Sequence, residues 1–322
     1  MNILILSAGT RDKVVQYFKK AVGDEGRIIA TDCSTLAPAV YEADKFILVP
    51  RMTAPGYIDV IIDICKNEKI DGVLSLIDPE LSLIAQNRER FLEVGTTPIV
   101  SDYDLCELSL DKFEMYKYLC KSGIPTGRCF MNKEQFYQAL DKNEISFPVF
   151  LKPARGSASI NINKVGSRAE VDLLCDLYDD IMIQEYMDGQ EYGADVYIDM
   201  ISKKCVSIFV KKKLRMRAGE TDKSVSVIIP ELFDIIKRFV ENTGYVGMID
   251  IDIFEQNGSF YISEVNPRFG GGYPHAYECG VDFPSLVVNN LNNMENPVNI
   301  GNYEEGISMM KYNEVMIRRV EL

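Results

Sequence analysis

Tryptophan is absent from the chain, and histidine occurs once, at position 275. A single histidine excludes multi-histidine metal centres and argues against a Ser-His-Asp triad. Positive charge is scarce as well: 35 Lys and Arg stand against 48 Asp and Glu, a formal net charge of −13. Such a chain is a poor ligand for nucleic acid or an anionic membrane, so any nucleotide must be met by a local cluster of cations. The 8 cysteines are scattered with no Cys-x-x-Cys pair, which points to buried reduced thiols over disulfides or zinc. No apolar run approaches the ~18 residues of a membrane span, and the apolar opening Asn2–Leu6 is too short for a signal peptide. A cytoplasmic setting is expected, without membrane or nucleic-acid partners. Internal repeats and low-complexity tracts are missing too. Neither Gly-x-x-x-x-Gly-Lys-[Ser/Thr] nor the three-glycine dinucleotide fingerprint occurs; the first strand ends at Ser7-Ala8-Gly9-Thr10 with a lone glycine.

What is present is an ordinary globular composition, 47% hydrophobic and 26% charged over 322 residues, long enough for two or three units of roughly 100–200 residues. Up to about residue 103, apolar strand patterns (Ile3–Leu6, Arg27–Thr31, Phe46–Val49, Gly72–Leu76) alternate with helical ones (Asp12–Ala21, Tyr57–Asn67). That alternation predicts a parallel sheet covered on both faces. Asp78-Pro79-Glu80 follows the last of these strands, where such sheets present ligand-facing loops. Glu80 is therefore a candidate substrate contact, or else an acid favoured at a helix N-terminus.

Helices are expected at Asp102–Leu110, at Lys112–Ser122 (stopped by Gly123 and Pro125) and at Glu134–Leu140. Strand Phe147–Lys152 runs into the small-residue loop 153–159 and returns as Asn161–Val165. Flanked by Lys152 and Arg155, that loop could fold its N–H groups over phosphates, although a plain hairpin turn has the same letters. Asp180–Tyr186 is apolar and extended. Ala194–Met200 and Lys204–Lys212 form a hairpin that ends in the dense basic run 211–217. Strand alternation places Lys211, Lys213, Arg215 and Arg217 on one side, which suits a triphosphate or an acidic substrate as well as a solvated face. Thr221–Ser224 is expected as a mobile loop, Glu231–Asn242 as a helix. Residues 281–322 should add one helix (Phe283–Asn290) and two strands (Ile307–Tyr312, Val315–Arg319).

The stretch Gly247–Pro274 alternates on both sides of a Gln256-Asn257-Gly258-Ser259 turn signal and predicts a β-hairpin. A three-residue loop at 257–259 would set Asp252 opposite Glu264 and Asp250 opposite Asn266. Ile249, Ile251, Ile253, Tyr261 and Val265 would share the buried face, with Ser263 a polar exception. Carboxylates facing one another repel unless a cation lies between them, and all-oxygen donors suit a hard ion such as Mg²⁺. The same residues also fit a solvated sheet face.

Lys112 in a helix, Lys152 before a Gly/Ser loop, Gln-Glu-Tyr-Met-x-Gly-x-Glu at 184–191 and Asp…Glu-x-Asn-x-Arg at 252–268 stand in the order found in ATP-grasp enzymes. The resemblance covers about residues 104–300. It is nearest to carbamoyl-phosphate-synthase-like and amino-acid-ligase-like members, whose Asn-Pro-Arg-Phe-Gly-Gly-Gly-Tyr-Pro loop stands at 266–274. It implies an α/β fold: a Rossmann-like pre-ATP-grasp domain (1–103), a lid subdomain (104–183) and a catalytic subdomain with C-terminal strands (184–322). By resemblance, Lys152 and Lys112 would contact phosphates and the backbone of Ser157, Ala158 and Ser159 would cover them. Gln184, Glu185 and Met187 would read adenine, Glu191 would hold the ribose, and Lys213 would join the nucleotide site. Asp252, Glu264 and Asn266 would hold Mg²⁺, or Mn²⁺ in its place. Arg268, Lys152 and Arg217 would be the catalytic cations, and Gly270–Gly272 would let the backbone approach the acceptor. The implied reaction joins a small carboxylate to an amine through an acyl phosphate at the expense of ATP, in a homodimer. Alternatives are an ATP-binding regulatory or partner subunit, or a ligase with a non-amine acceptor. The second synthetase half of a full carbamoyl-phosphate synthase is missing, which argues against that product.

Overall fold

The structure is a computed structural model, and it describes residues 1–156 and 162–320. The N-terminal strands β1 (Asn2–Leu6), β2 (Arg27–Asp32), β3 (Lys45–Leu48), β4 (Gly72–Ser75) and β5 (Thr97–Pro98) form one sheet. All are parallel, in the order β3-β2-β1-β4-β5. Helices α1 (Asp12–Val22), α2 (Tyr57–Glu68), α3 (Asp78–Gln86) and α4 (Arg88–Glu93) cover it. From β1 the chain steps to β2 on one side and later returns to β4 on the other. The crevice beyond the C-terminal ends of β1 and β4 is thus a topological switch point, where α/β sheets bind ligands.

After the helix pair α5 (Tyr103–Leu110) and α6 (Lys112–Lys121) comes a small four-stranded sheet. It is built from β6 (Cys129–Phe130), β7 (Val149–Pro153), β8 (Asn163–Val165) and β9 (Ile181–Glu185), with α7 (Lys133–Asp141) and α8 (Arg168–Leu177) on one face. Phe136, Val149, Leu151, Val171 and Ile183 form its core. Met115 and Leu119 of α6 pack elsewhere, into the core of the third sheet.

That third sheet comprises β10 (Gln190–Ile198), β11 (Cys205–Arg217), β12 (Glu220–Val227), β13 (Gly247–Gln256), β14 (Ser259–Asn266) and β15 (Ser308–Met310). It runs in the order β14-β13-β10-β11-β12-β15, and its partners are antiparallel. Tyr192, Ala194, Val196, Ile208, Ile249, Ile251 and Ile253 face α9 (Pro230–Thr243), which supplies Leu232, Ile236, Phe239 and Val240. On the opposite face, Tyr197 and Phe209 share a core with Ile3, Ile5 and Phe18 of the N-terminal sheet. Phe269 and the two helices after it, α10 (Tyr273–Glu278) and α11 (Phe283–Leu291), complete that core, and Tyr17 stacks on Tyr277 with ring centroids 3.5 Å apart.

Several sequence expectations change. Thr221–Ser224 is no mobile loop: it lies within β12, with Thr221, Asp222 and Ser224 buried. One C-terminal strand forms instead of two, since among the described residues only 308–310 pair, with β12, and Val315 and Ile317 are exposed. The Asn257-Gly258 pair, both at positive φ (53° and 74°), makes a two-residue turn in place of the three-residue loop. A bulge at Ser263 restores the Asp252–Glu264 and Asp250–Asn266 pairing below it. It also turns Phe260 and Ile262 inward beside Val265, where Tyr261 was expected. Among the described residues no helix is long and apolar enough to cross a membrane.

Candidate active site

A cavity of about 630 Å³ opens between the small sheet, the large sheet and the switch point of the N-terminal sheet. β7 and β9 contribute Phe150, Lys152 and Gln184, and the segment after β9 adds Met187. Arg11 and Asp78 reach it from the ends of β1 and β4, as the switch-point rule requires.

The floor is the large sheet, and its register explains the arrangement. Residues opposite each other in antiparallel strands share a face, which gives three rows: Glu191, Lys213 and Phe254; then Gly193, Lys211, Asp252 and Glu264; then Asp195, Asp250 and Asn266. Gly193 occupies the middle of these rows without a side chain, and the Lys211 and Lys213 stems cross above it. A Cβ there would sit 3.1 and 3.2 Å from their Cε atoms. The lysines thereby reach the strand beyond. Lys213 Nζ donates to Glu191 Oε1 at 2.7 Å and to Asp252 Oδ1 at 2.6 Å, and the fully buried Lys211 pairs with Asp195. Against the pull of burial, Asp252 and Glu191 hold Lys213 well above its usual range, so it stays charged. Burial raises Glu191 despite Lys213 beside it. Burial, with Asp252 as neighbour, pushes Asp250 up to about 7.

Arg268 bridges two elements. It donates through Nη2 (3.0 Å) and Nε (3.2 Å) to Asp78 Oδ2, while Asp250 Oδ2 lies 3.7 Å from Nη1. Across the cavity, Lys152 is buried, and no carboxylate lies within 4 Å of it or of Lys112 among the described residues. Burial lowers Lys112, against the pull of Glu264 and with Lys152 adding to the shift. Buried Lys152 and part-buried Lys112, neighbouring ammonium groups with no carboxylate in contact, create an anion site.

All of Lys112, Lys152, Gln184, Glu185, Met187, Glu191, Lys213, Asp252, Glu264, Asn266 and Arg268 line this one cavity. Ser157, Ala158 and Ser159 lie outside the described residues. Arg217 does not join them: β11 slips register at 213–216, so the cavity-facing residue becomes Met216, and Arg215 and Arg217 point to solvent. Glu80 is fully buried, bonded to Tyr57 and Ser75, with its carboxyl raised by burial; it is a structural acid. The Gly270–Gly272 run leaves room for neighbouring charged side chains. A side-chain carbon at these positions would overlap the Asp250 carboxylate, the Glu220 carboxylate and the Lys211 stem in turn. Arg11, Glu220, Phe150 and Phe254 also line the cavity, without having stood out in sequence. Only the location of Arg11 directly after β1 offered a signal.

Asp252, Glu264 and Asn266 offer oxygen donors from adjoining positions of two strands, and Glu264 has no ion pair within 4 Å among the described residues. Those residues contain no group of three or more His, Cys, Asp or Glu fit to hold a metal alone. Two carboxylates and one amide fit Mg²⁺, which typically takes one or two carboxylates together with substrate phosphates.

Comparison with known proteins places the same segments. A family model described as the PylC-like N-terminal domain matches residues 3–99. A second, described as ATP-grasp in the biosynthetic pathway with Ter operon, matches residues 178–315, which contain the charged floor. Residues 178–315 thus belong to the ATP-grasp superfamily. The chain is 31% identical over 165 residues to a D-alanine–D-alanine ligase of Marinomonas sp. (strain MWYL1), covering 46% of this chain and about half (52%) of that one. It is 23% identical over 304 residues to a phosphoribosylamine–glycine ligase of Fusobacterium nucleatum, covering 84% of this chain and 68% of the relative. Its fold matches N5-carboxyaminoimidazole ribonucleotide synthetase solved with ADP, with a TM-score of 0.72 at 20% identity over 92% of this chain and 78% of that one.

Proposed function

We propose that the chain is an ATP- and Mg²⁺-dependent carboxylate–amine ligase acting on amino-acid substrates. The observation that carries this reading is the pair of unneutralised lysines, Lys112 and Lys152, facing the Asp252–Glu264 pair across one cavity. Cations opposite a divalent-metal donor set suit a metal-bound polyphosphate. Phe150, Met187 and Phe254 offer apolar walls for a base, with Gln184 among them as a polar reader. The two relatives reported above are named as ligases that join alanine or glycine units.

In the proposed reaction a substrate carboxylate oxygen attacks the γ-phosphorus, and the bond to the bridging oxygen breaks to release ADP. The amine nitrogen then attacks the acyl phosphate carbon and expels phosphate, the amine losing one proton. Lys112 and Lys152 would hold the phosphates, and Glu191 the ribose. Arg268 would face the transferring phosphoryl group, its guanidinium held between Asp78 and Asp250. Asp252, Glu264 and Asn266 would hold Mg²⁺, which neutralises phosphate charge. No side-chain nucleophile is required, because catalysis of this class is mostly positioning and charge stabilisation.

ADP release with Mg·ATP, across amino acids singly and in pairs, tests the reading. Asp252→Asn and Glu264→Gln should each lower kcat by about 10²–10³, the range for losing one electrostatic stabiliser. Turnover that survives both substitutions would reject the metal site. ATP binding without ADP release in any mixture would make the chain a nucleotide-binding module.

A further inference from the structure

Where the N-terminal sheet meets the large sheet, the cavity is bounded by an ion cluster that the phosphate chemistry does not use. Arg11, at the start of α1, pairs with Glu220, and Lys311 Nζ lies 2.7 Å from the same carboxylate. Arg11 and Glu220 both line the cavity, with side chains 21% and 34% exposed. Such half-exposed pairs contribute about 0–1 kcal/mol to stability, so the fold does not depend on this one.

Its placement is nonetheless tightly specified. Glu220 closes the two-residue turn Ala218-Gly219, at φ 50° and 77°, a conformation a non-glycine residue such as Ala218 rarely adopts. Its carboxylate rests against Gly271, where any side chain would displace it, next to the glycine that accommodates Asp250. Gly270 and Gly271 therefore bring Glu220 alongside the Asp250–Arg268 pair. Against burial, Arg11 and Lys311 hold Glu220 below the usual carboxylate range, so it remains an anion. The trio carries one net positive charge, which a neutral zwitterion leaves unchanged, so binding one disturbs the local balance least.

We propose that Arg11 and Glu220 are the specificity-determining pair for a zwitterionic α-amino acid, which takes Arg11 with its carboxylate and Glu220 with its ammonium. This assignment rests on the ligase reading given above. Inserted between the two, the substrate exchanges each partner's counter-charge for its own, so no charge is left uncompensated. A simple amine takes Glu220 and strands Arg11, while an N-acylated amino acid takes Arg11 and leaves Glu220 with Lys311 alone, so each gives up one of the two contacts a zwitterion makes.

The test uses the full chain with Mg·ATP and the proteinogenic amino acids and D-alanine as probes, against ethylamine and N-acetylalanine. Glu220→Gln and Arg11→Gln should each raise the half-saturating amino-acid concentration at least tenfold, with ATP half-saturation moving less than about twofold. A latch without a recognition role would instead shift the melting temperature, or both half-saturation values together, and that result overturns the proposal. Supplied with a carboxylate co-substrate, ethylamine that drives ADP release as well as an amino acid does removes Arg11 from recognition, and equal stimulation by N-acetylalanine removes Glu220. If non-zwitterionic carboxylates and amines drive ADP release and amino acids do not, the ligase reading stands and the clamp falls. If no mixture releases ADP, binding alone decides. An amino acid that raises the melting temperature of the unmodified protein but not of Glu220→Gln upholds the pair, and no shift with any amino acid overturns it.

Discussion

Two hairpins of the large sheet, β13–β14 and β11–β12, are built by the same means and read very differently. In β13–β14, isoleucines alternate with acids around an Asn-Gly turn, so strand, turn and cavity-facing carboxylates all show in the letters. In β11–β12, the strand after the turn reads Glu-Thr-Asp-Lys-Ser-Val-Ser-Val and looks like a loop, yet Thr221, Asp222, Ser224 and Ser226 are buried. Both carry a two-residue turn at positive φ and a register slip below it. The difference lies in what covers them. One face of β13–β14 meets α9, an apolar partner, whereas the buried side chains of β12 meet other polar groups. Ser224 Oγ donates to His275 Nδ1 at 2.8 Å, and Ser226 Oγ donates to the Glu304 carbonyl at 2.7 Å. Hydrophobic alternation reports burial against a core and is silent about burial against polar partners.

The lone histidine gives the sharpest way to break that contrast. His275 is buried, with Nε2–H donating to the Ile307 carbonyl at 3.0 Å, and burial together with the charge of Lys211 lowers it to about 4. A base whose folded pKa is depressed binds fewer protons when folded. Its contribution is complete above the unfolded value near 6.5 and fades as pH falls towards 4. Roughly 3 kcal/mol should be lost over that window, at about 1.36 kcal/mol per pKa unit. Denaturant melts at pH 7 and pH 4 measure it, and His275→Asn should flatten the slope. An unchanged slope would mean that β12 is not pinned through Ser224.

A somewhat smaller effect is expected where the hairpins meet. Lys213 of β11 holds Asp252 of β13, so Lys213→Met leaves Asp252 and Glu191 without their ammonium. Removing one partner of a buried pair costs about 3–5 kcal/mol, and because these carboxylates are a quarter exposed we expect about 2–3. Urea titration should show the midpoint falling with an unchanged slope. If the loss is below about 0.5 kcal/mol, the two hairpins are electrostatically independent.

The turns give the smallest and most pointed pair. Gly258 sits at φ 74° and Ala218 at φ 50°. Gly258→Ala should destabilise by about 1 kcal/mol, whereas Ala218→Gly should stabilise by up to about 1 kcal/mol, as the left-handed strain is relieved. Equal signs for the two in thermal melts would show that the turns are not equivalent.

Much of the fold was legible. The βαβ alternation, the helix stops at Gly123 and Pro125 and the Asn257-Gly258 turn are local signals, whereas the cross-strand pairing of Asp252 with Glu264 needs the Ser263 bulge as well as the turn. The bulges were not legible. A single extra residue at Ser263 exchanges Tyr261 for Phe260 and Ile262 on the buried face, and the slip at 213–216 exchanges Arg217 for Met216 at the cavity. A slip of one residue reverses every side chain beyond it, and no local pattern marks where the slip falls. Glu80 was ambiguous for a related reason. At the end of β4 a carboxylate can face a ligand or turn inward, and the partners that turned it, Tyr57 and Ser75, lie elsewhere in the chain.

By itself, then, the order of residues determined the types of element, their spacing and which carboxylates and lysines could serve a metal-bound phosphate, because propensity, turn chemistry and strand pairing act over short stretches. Only the tertiary structure decided which charges meet. Lys213 reaches Asp252 because Gly193 leaves the strand between them bare, and Arg268 is fixed by Asp78 from a different sheet. Arg11 finds Glu220 across 209 residues because the crossover from β1 ends at the switch point beside the β11–β12 turn. Coulomb energies depend on distances of a few ångströms in a desolvated cleft, and those distances are set by the docking of three sheets.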